Sequence, residues 1–81
     1  MIAPSLPLVE LRALYLSLGS IEELPGERTY IGRCNTWERF LAYGPWCAAV
    51  LRRHGGQELH PGLAALLDRA WPASTEDDLP A

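Results

Sequence analysis

Apolar residues recur at helical spacing in three long segments of the chain, and the first of them is residues 5–19. Ser5 can serve as the N-cap, Pro7 suits the first turn, and Gly19 is a typical stop. The spacing predicts a deeply buried helix. Its core face comprises Leu8, Leu11, Leu14, Tyr15 and Leu18, widened by Val9 and Leu16. A strand with alternating leucines is left open for residues 13–21.

Residues 20–33 contain no long periodic run and predict a turn followed by a short extended segment. Pro25 and Gly26 form a turn signal in which Pro presets φ and Gly accepts a positive φ. The segment "RTYIGR" that follows combines Thr, Tyr and Ile, which favour strands. We therefore expect a short strand, or a hairpin across Pro25 and Gly26, packed against the helices.

The second helical segment begins at "NTWERF", where Asn35 and Glu38 have the spacing of a capping box. Gly44 and Pro45 interrupt its pattern. A proline inside a helix removes one backbone hydrogen bond and costs about 3 kcal/mol. The pair therefore predicts that one helix ends at Gly44 and another starts at Pro45, with Trp46 at the corner between them. One continuous, kinked helix is the alternative.

The third segment, "GLAALLDRAW", predicts a final helix that Pro72 ends. The preceding helix should stop at Gly55 and Gly56, after a cationic last turn that complements the helix dipole. Core spacing in the final helix is shown by Leu63, Leu66, Leu67 and Trp71. The whole pattern predicts one mainly α-helical domain over residues 1–71, a small bundle of about four short helices, with one short strand or hairpin left open near residues 20–33. Residues 72–81 are expected to form a flexible acidic tail.

Length and composition fit one ordinary globular domain. The chain has 81 residues, of which 48% are hydrophobic and 21% charged. A domain of this size buries only about 60% of its unfolded surface, which argues against a large enclosed active-site cavity.

Charge is unevenly placed along the chain. The formal net charge is −3, and all seven basic residues are arginine. Residues 1–71 balance these seven arginines against seven acids, because three of the ten acids lie at positions 76–78. A neutral domain lacks the basic stripe of a nucleic-acid binder, so we expect no tight DNA binding at physiological salt.

Two features of the sequence, its apolar runs and its cysteines, bear on the compartment. The sequence has no run of about 20 apolar residues, so it predicts no membrane span. Its first residues do not resemble a signal peptide. Cys34 and Cys47 fit a reducing compartment, although one disulfide is left open. The cytoplasm is the expected location.

The sequence contains weak signals for three specific functions: DNA binding, zinc binding and nucleophilic catalysis. A helix, break and helix around Gly44 is typical of a DNA-binding helix-turn-helix, but its second helix would begin with apolar residues rather than base-reading side chains. A zinc site would have to use Cys34, Cys47, His54 and His60, whose spacing does not match known ligand pairs. A nucleophilic pair of Cys34 with either histidine lacks an oxyanion hole nearby in the sequence. No cofactor and no catalytic residue are predicted.

The aromatic residues carry the strongest functional signal. Seven aromatic side chains are too many for the core of so small a protein to enclose, and Trp, Tyr and Arg dominate binding hot spots. We predict a partner-binding patch formed by Arg39, Tyr43, Trp46, Arg52 and Arg53. Full burial of Tyr43 and Trp46 is the alternative.

These features together predict a noncatalytic protein-protein interaction module that docks on a larger protein or complex and regulates or inhibits it. Phage or mobile-element inhibitors of host machinery are one class of this kind. The alternatives are a helix-turn-helix-like nucleic-acid-binding regulator and a small Cys/His metal or thiol site. No membrane partner is expected, and a homodimer is left open.

Overall fold

Four helices surround one core in the described part of the chain. The computed structural model describes residues 2–19, 21 and 29–74. The helices are α1 (Leu8–Ser17), α2 (Tyr30–Arg33), α3 (Trp37–His54) and α4 (Pro61–Ala70), and a 3₁₀ turn (Gln57–Leu59) precedes α4. Helix α4 packs against α1 and α3, and α2 packs against α3. The predicted small, mainly α-helical bundle is confirmed, and none of the described residues forms a strand. Within these ranges, no helix is both long and apolar enough to cross a lipid bilayer.

Helix α1 is less buried than predicted. Its inward face is formed by Leu11 and Tyr15, while Leu8, Val9 and Leu16 are exposed. The prediction of a deeply buried helix is therefore wrong, because α1 lies at the surface and packs against α4 along one side. The alternative of an alternating strand is wrong too, since residues 13–17 are helical.

The start of α1 also differs from the prediction. Helix α1 begins after Pro7, and no side chain caps it. Ser5 instead holds the N-terminal segment on the end of α4. Its Oγ donates a hydrogen bond to the carbonyl of Arg69 (2.5 Å), and its backbone N–H donates to the carbonyl of Ala70 (2.7 Å).

The strand predicted in "RTYIGR" is replaced by the single turn of α2. Tyr30, Ile31 and Cys34 all point into the core, and long-range contacts outweigh the strand preference of the first two. The Tyr30 hydroxyl donates to the carbonyl of Gly56 (2.9 Å) and accepts the N–H of His60 (3.1 Å). Burial raises the pKa of this hydroxyl above its ordinary value. The proposed hairpin across Pro25 and Gly26 lies outside the described residues, as does the tail from residue 75 onward.

Helix α3 is continuous, and the predicted break at Gly44 and Pro45 is wrong. The helix runs from Trp37 to His54 with Pro45 inside it. Its N-cap is Thr36, whose Oγ1 accepts the N–H of Arg39 (3.1 Å), rather than Asn35. The N-cap is thus one residue later than predicted, and because the third residue after it is Arg39, the predicted capping box does not form. Residues 37–54 consequently do not form a helix-turn-helix.

The Gly44–Pro45 pair serves the packing of α3 against Trp71. A methyl group at position 44 would overlap the six-membered ring of the Trp71 indole, so only glycine fits there. Pro45 is fully buried beside it. Trp71 is itself inaccessible to solvent, contacts Phe40 with ring centroids 5.3 Å apart, and donates from Nε1 to the carbonyl of Ile2 (3.1 Å). Tertiary contacts thus offset the hydrogen bond that proline removes from the helix.

The end of α3 and the presence of α4 confirm their predictions, although α4 begins at Pro61 and ends at Ala70, one residue earlier at each end than predicted. Gly55 and Gly56 adopt φ of 83° and 107°, a region that favours glycine, and the Gly55 N–H bonds the carbonyl of Leu51. Helix α4 starts with Pro61 and is capped by His60, whose Nδ1 accepts the N–H of Leu63 (3.1 Å). All four core residues predicted for this segment are buried: Leu63, Leu66, Leu67 and Trp71.

Candidate functional site

Five side chains form a row along the outward face of α3. We call this the outer row, and its members are Arg39, Tyr43, Trp46, Val50 and Arg53. Successive spacings of four, three, four and three residues keep the row within an arc of about 80° around the helix. The exposed fractions of its apolar members are 47% for Tyr43, 43% for Trp46 and 50% for Val50. The alternative of full burial of Tyr43 and Trp46 is wrong.

The opposite face of α3 fixes the direction in which the outer row points. Phe40, Gly44, Cys47 and Leu51 are all buried on that side. Their packing against α2 and α4 prevents the helix from rotating about its axis. Trp46 therefore lies about 100–160° around the helix from these four residues, and its ring is partly exposed to solvent.

Both ends of the outer row are cationic. Arg39 lies in the first turn of α3 and donates from a terminal guanidinium nitrogen to Oδ1 of Asn35, a neutral group, at 3.1 Å. Arg53 is exposed in the last turn. The two positions are separated by 14 residues, or about 21 Å along the helix axis. The row itself contains no acidic residue.

Arg52 belongs to a different side of the helix from the rest of the predicted patch. One of its terminal nitrogens donates to Oδ1 of Asp68 (3.0 Å) and to the carbonyl of Trp71 (3.0 Å). Its side chain is 23% exposed. The structure thus brings four predicted site residues together and places Arg52 between α3 and the end of α4.

Val50 is a member of the outer row that the sequence analysis missed. The signal for it is its position, four residues after Trp46 and three before Arg53. That spacing becomes visible only when α3 is treated as one continuous helix. The predicted break at Gly44 divided the row and hid its periodicity.

The residues considered for a metal or thiol site lie in separate environments. Cys34 and Cys47 are both buried and free of a disulfide, and their thiols hydrogen-bond each other. This bond, together with burial, raises the pKa of the Cys34 thiol and disfavours its use as a nucleophile. His54 ends α3, and His60 caps α4. Across residues 2–19, 21 and 29–74, no three Cys, His, Asp or Glu side chains group as metal ligands.

Two shallow grooves flank α4. The larger has a volume of about 360 Å³ and lies against α3, with an apolar floor that includes Leu51 and Ala64 and the Arg52–Asp68 ion pair at its side. The smaller, of about 190 Å³, lies between α4 and α1. The larger groove offers one carboxylate that is already paired with a cation, so it does not assemble a general acid and base.

Comparisons of the chain with protein-family models, with curated proteins and with solved structures found no match. The chemistry of the outer row is therefore interpreted from its own residues. A rigid helix that presents Trp, Tyr and Arg to solvent can form a binding hot spot, because these are the side chains that contribute most when an interface buries them.

Proposed function

We propose that this protein is a noncatalytic interaction module that docks through the outer row of α3 on a larger protein or complex and regulates or inhibits it. The observation that carries the proposal is the exposure of Trp46 between Tyr43 and Val50, on the side of the helix that faces away from the core. Burying an indole in water-excluded contact contributes about 2 kcal/mol or more to many interfaces.

The rigidity of α3 supports this proposal. Association costs roughly 4–15 kcal/mol of translational and rotational freedom, and more if a segment must order on binding. The outer row lies on an 18-residue helix whose other face is packed into the core, so its backbone is already in place. A small surface can then bind with useful affinity.

Two cysteines without a disulfide fit the cytoplasm, which we propose as the compartment in which this docking occurs. Cys34 and Cys47 lie side by side in the core as free thiols. Disulfides form readily in oxidising compartments and are rare in the cytosol.

Affinity capture with matched baits tests the proposed function. Three purified chains are used: the wild type, Trp46→Ala, and Leu59→Ala. Leu59 is an exposed apolar residue on the 3₁₀ turn, outside the outer row, and serves as the control. We expect quantitative mass spectrometry to find a protein that the wild type and Leu59→Ala enrich and that Trp46→Ala does not.

The captured protein is then purified and assayed with and without the module. A change in its activity that requires Trp46 supports regulation or inhibition. If Trp46→Ala remains folded and captures the same proteins as the wild type, docking through the outer row is wrong. A salt-dependent shift of duplex DNA at submicromolar protein would instead favour the nucleic-acid alternative.

A further inference from the structure

The spacing of the outer row suggests which kind of surface fits it. A buried helix usually has an apolar stripe at least about 100° wide, whereas a seam between two helices uses alternating steps of three and four residues. The outer row follows the second pattern over four turns. A helix lying along it at about 20° would contact every member of the row.

The residues beside Trp46 fit this geometry. Ala42 and Ala49 lie four residues before and three residues after Trp46, on the same flank of the row, and both are small. Ala42 is exposed while Ala49 is buried, so the backbone of a second helix can approach closely at Ala42. An apolar side chain of the partner would then pack between Ala42 and the indole as a knob packs into a hole.

Charge identifies the partner's chemistry. Within the described ranges, the ion pairs are Arg52 with Asp68 and Arg69 with Glu10, so Arg39 and Arg53 are in none of them. Arginine binds carboxylates in a planar, two-pronged geometry. A partner with carboxylates about 21 Å apart, separated by apolar residues, would match both ends of the row.

A nucleic acid fits the same surface less well. Phosphates follow one another every 3.4 Å or so along each strand of a duplex, and binding proteins usually meet them with closely spaced cations. The two arginines here are separated by Tyr43, Trp46 and Val50, and the whole chain has a net charge of −3.

We propose that the outer row binds an amphipathic helix of about four turns in a partner protein, with apolar residues in its middle and a carboxylate toward each end. This inference rests on the proposed docking function and specifies the occupant of the same surface. Arg39 and Arg53 pair with the two carboxylates, and Trp46 packs between the apolar side chains of the partner.

Selection from a library of displayed helical peptides tests this proposal directly. The library has a neutral Ala/Gln framework and five positions at seam spacing that are varied among apolar, acidic, basic and neutral polar residues. Wild-type protein is the target, and Trp46→Ala is used for counter-selection. We expect acidic residues to be enriched at the two end positions and apolar residues at the three central ones.

The outcomes separate the inference from the function on which it rests. Binders that depend on Trp46 but show no preference for acids, or that prefer Lys or Arg, overturn the acidic helix and leave docking in place. A selection that yields no binder dependent on Trp46 overturns the helical occupant, and docking through the outer row then stands or falls on the capture experiment with Trp46→Ala.

Exchanging charges between the protein and the best selected peptide tests whether the two arginines pair with the two acids. The Arg39→Glu, Arg53→Glu double variant should bind it at least about tenfold more weakly, and replacing the two acids of the peptide by Lys should restore binding. The matched control is the Arg12→Glu, Arg69→Glu double variant, which makes the same change in net charge on α1 and α4. Equal weakening in the control would show that long-range charge, rather than local pairing, is responsible.

Discussion

The two faces of α3 carry similar side chains in opposite surroundings. On the inner face, Phe40 and Leu51 are buried against other helices, and on the outer face Tyr43, Trp46 and Val50 are about half exposed. Apolar content therefore does not distinguish a core face from a binding face on this helix. The difference lies in what covers each face within the described chain.

Two tryptophans make the same contrast. Trp71 is fully enclosed, with its ring against Gly44 and its Nε1–H bonded to a carbonyl. Trp46, only two positions after Gly44 on α3, points to the opposite side. We expect the first to contribute to stability and the second to binding, and substitutions can separate these roles.

Replacing each tryptophan by alanine should give the largest contrast. Trp71→Ala removes a fully buried ring and should lower the free energy of unfolding by about 3–5 kcal/mol. Trp46→Ala removes a half-exposed ring and should lower it by less than about 1 kcal/mol. Urea denaturation followed by circular dichroism measures both. Comparable losses for the two variants would show that Trp46 belongs to the core.

Enlarging Gly44 tests the close contact on the inner face. Alanine is a better helix former than glycine by about 1 kcal/mol, yet its methyl group would overlap the Trp71 ring. We expect Gly44→Ala to destabilise the protein by about 2 kcal/mol, as overpacking of a core does. The matched control, Ala42→Leu, enlarges an exposed position on the same helix and should change stability by less than about 0.5 kcal/mol. A neutral or stabilising Gly44→Ala would contradict the packing described for this face.

Two neighbouring arginines provide a smaller contrast. Arg52 is bonded to Asp68 and to the carbonyl of Trp71, while Arg53 belongs to the outer row. Because Asp68 is largely exposed, Arg52→Ala should cost only about 1 kcal/mol of stability. Arg53→Ala should stay within about 0.5 kcal/mol of the wild type. Thermal denaturation of the two variants decides the point, and a larger loss for Arg53→Ala would mean that the assigned sides are wrong.

Thiol labelling compares the solvent accessibility of the inner and outer faces of α3 with the smallest expected change in stability. Cys34 and Cys47 are buried on the inner side and should react with a maleimide only when the protein opens. A cysteine placed on the outer row by Val50→Cys should react at once and alter stability by less than about 0.5 kcal/mol. Mass spectrometry counts the labelled thiols over time. Rapid labelling of the native thiols in the wild type would contradict their burial.

Sequence alone predicted the elements that are set by local signals. Helix α4 begins at a proline, follows leucine spacing and stops before Pro72, and the end of α3 follows from Gly55 and Gly56. These signals act within a few residues of one another. They required no knowledge of the rest of the chain.

Elements set by distant contacts could not be predicted in this way. Helix α2 is held by hydrogen bonds of the Tyr30 hydroxyl with Gly56 and His60, which lie 26 and 30 positions later in the chain. The continuity of α3 depends on Trp71, which lies 27 positions after Gly44. In both cases, local preferences for a strand or for a break were overridden by packing that the sequence pattern does not display.

Which of the predicted patch residues lie on one side of α3 could be predicted only in part for the same reason; their role in binding stays a prediction. Arg39, Tyr43, Trp46 and Arg53 were identified from residue type, but Val50 was missed and Arg52 was included. Residue type indicates what a side chain can bind. The direction in which it points depends on whether the helix continues through Gly44 and Pro45.

The most direct test of the account is the affinity of Trp46→Ala for the protein that the wild type captures, measured by calorimetry at matched salt alongside the melting temperature. The account predicts that the dissociation constant rises by about thirtyfold or more, equivalent to about 2 kcal/mol, while the variant stays as folded as the wild type. An unchanged dissociation constant in a folded Trp46→Ala variant would contradict the claim that the outer row of α3 is the binding surface.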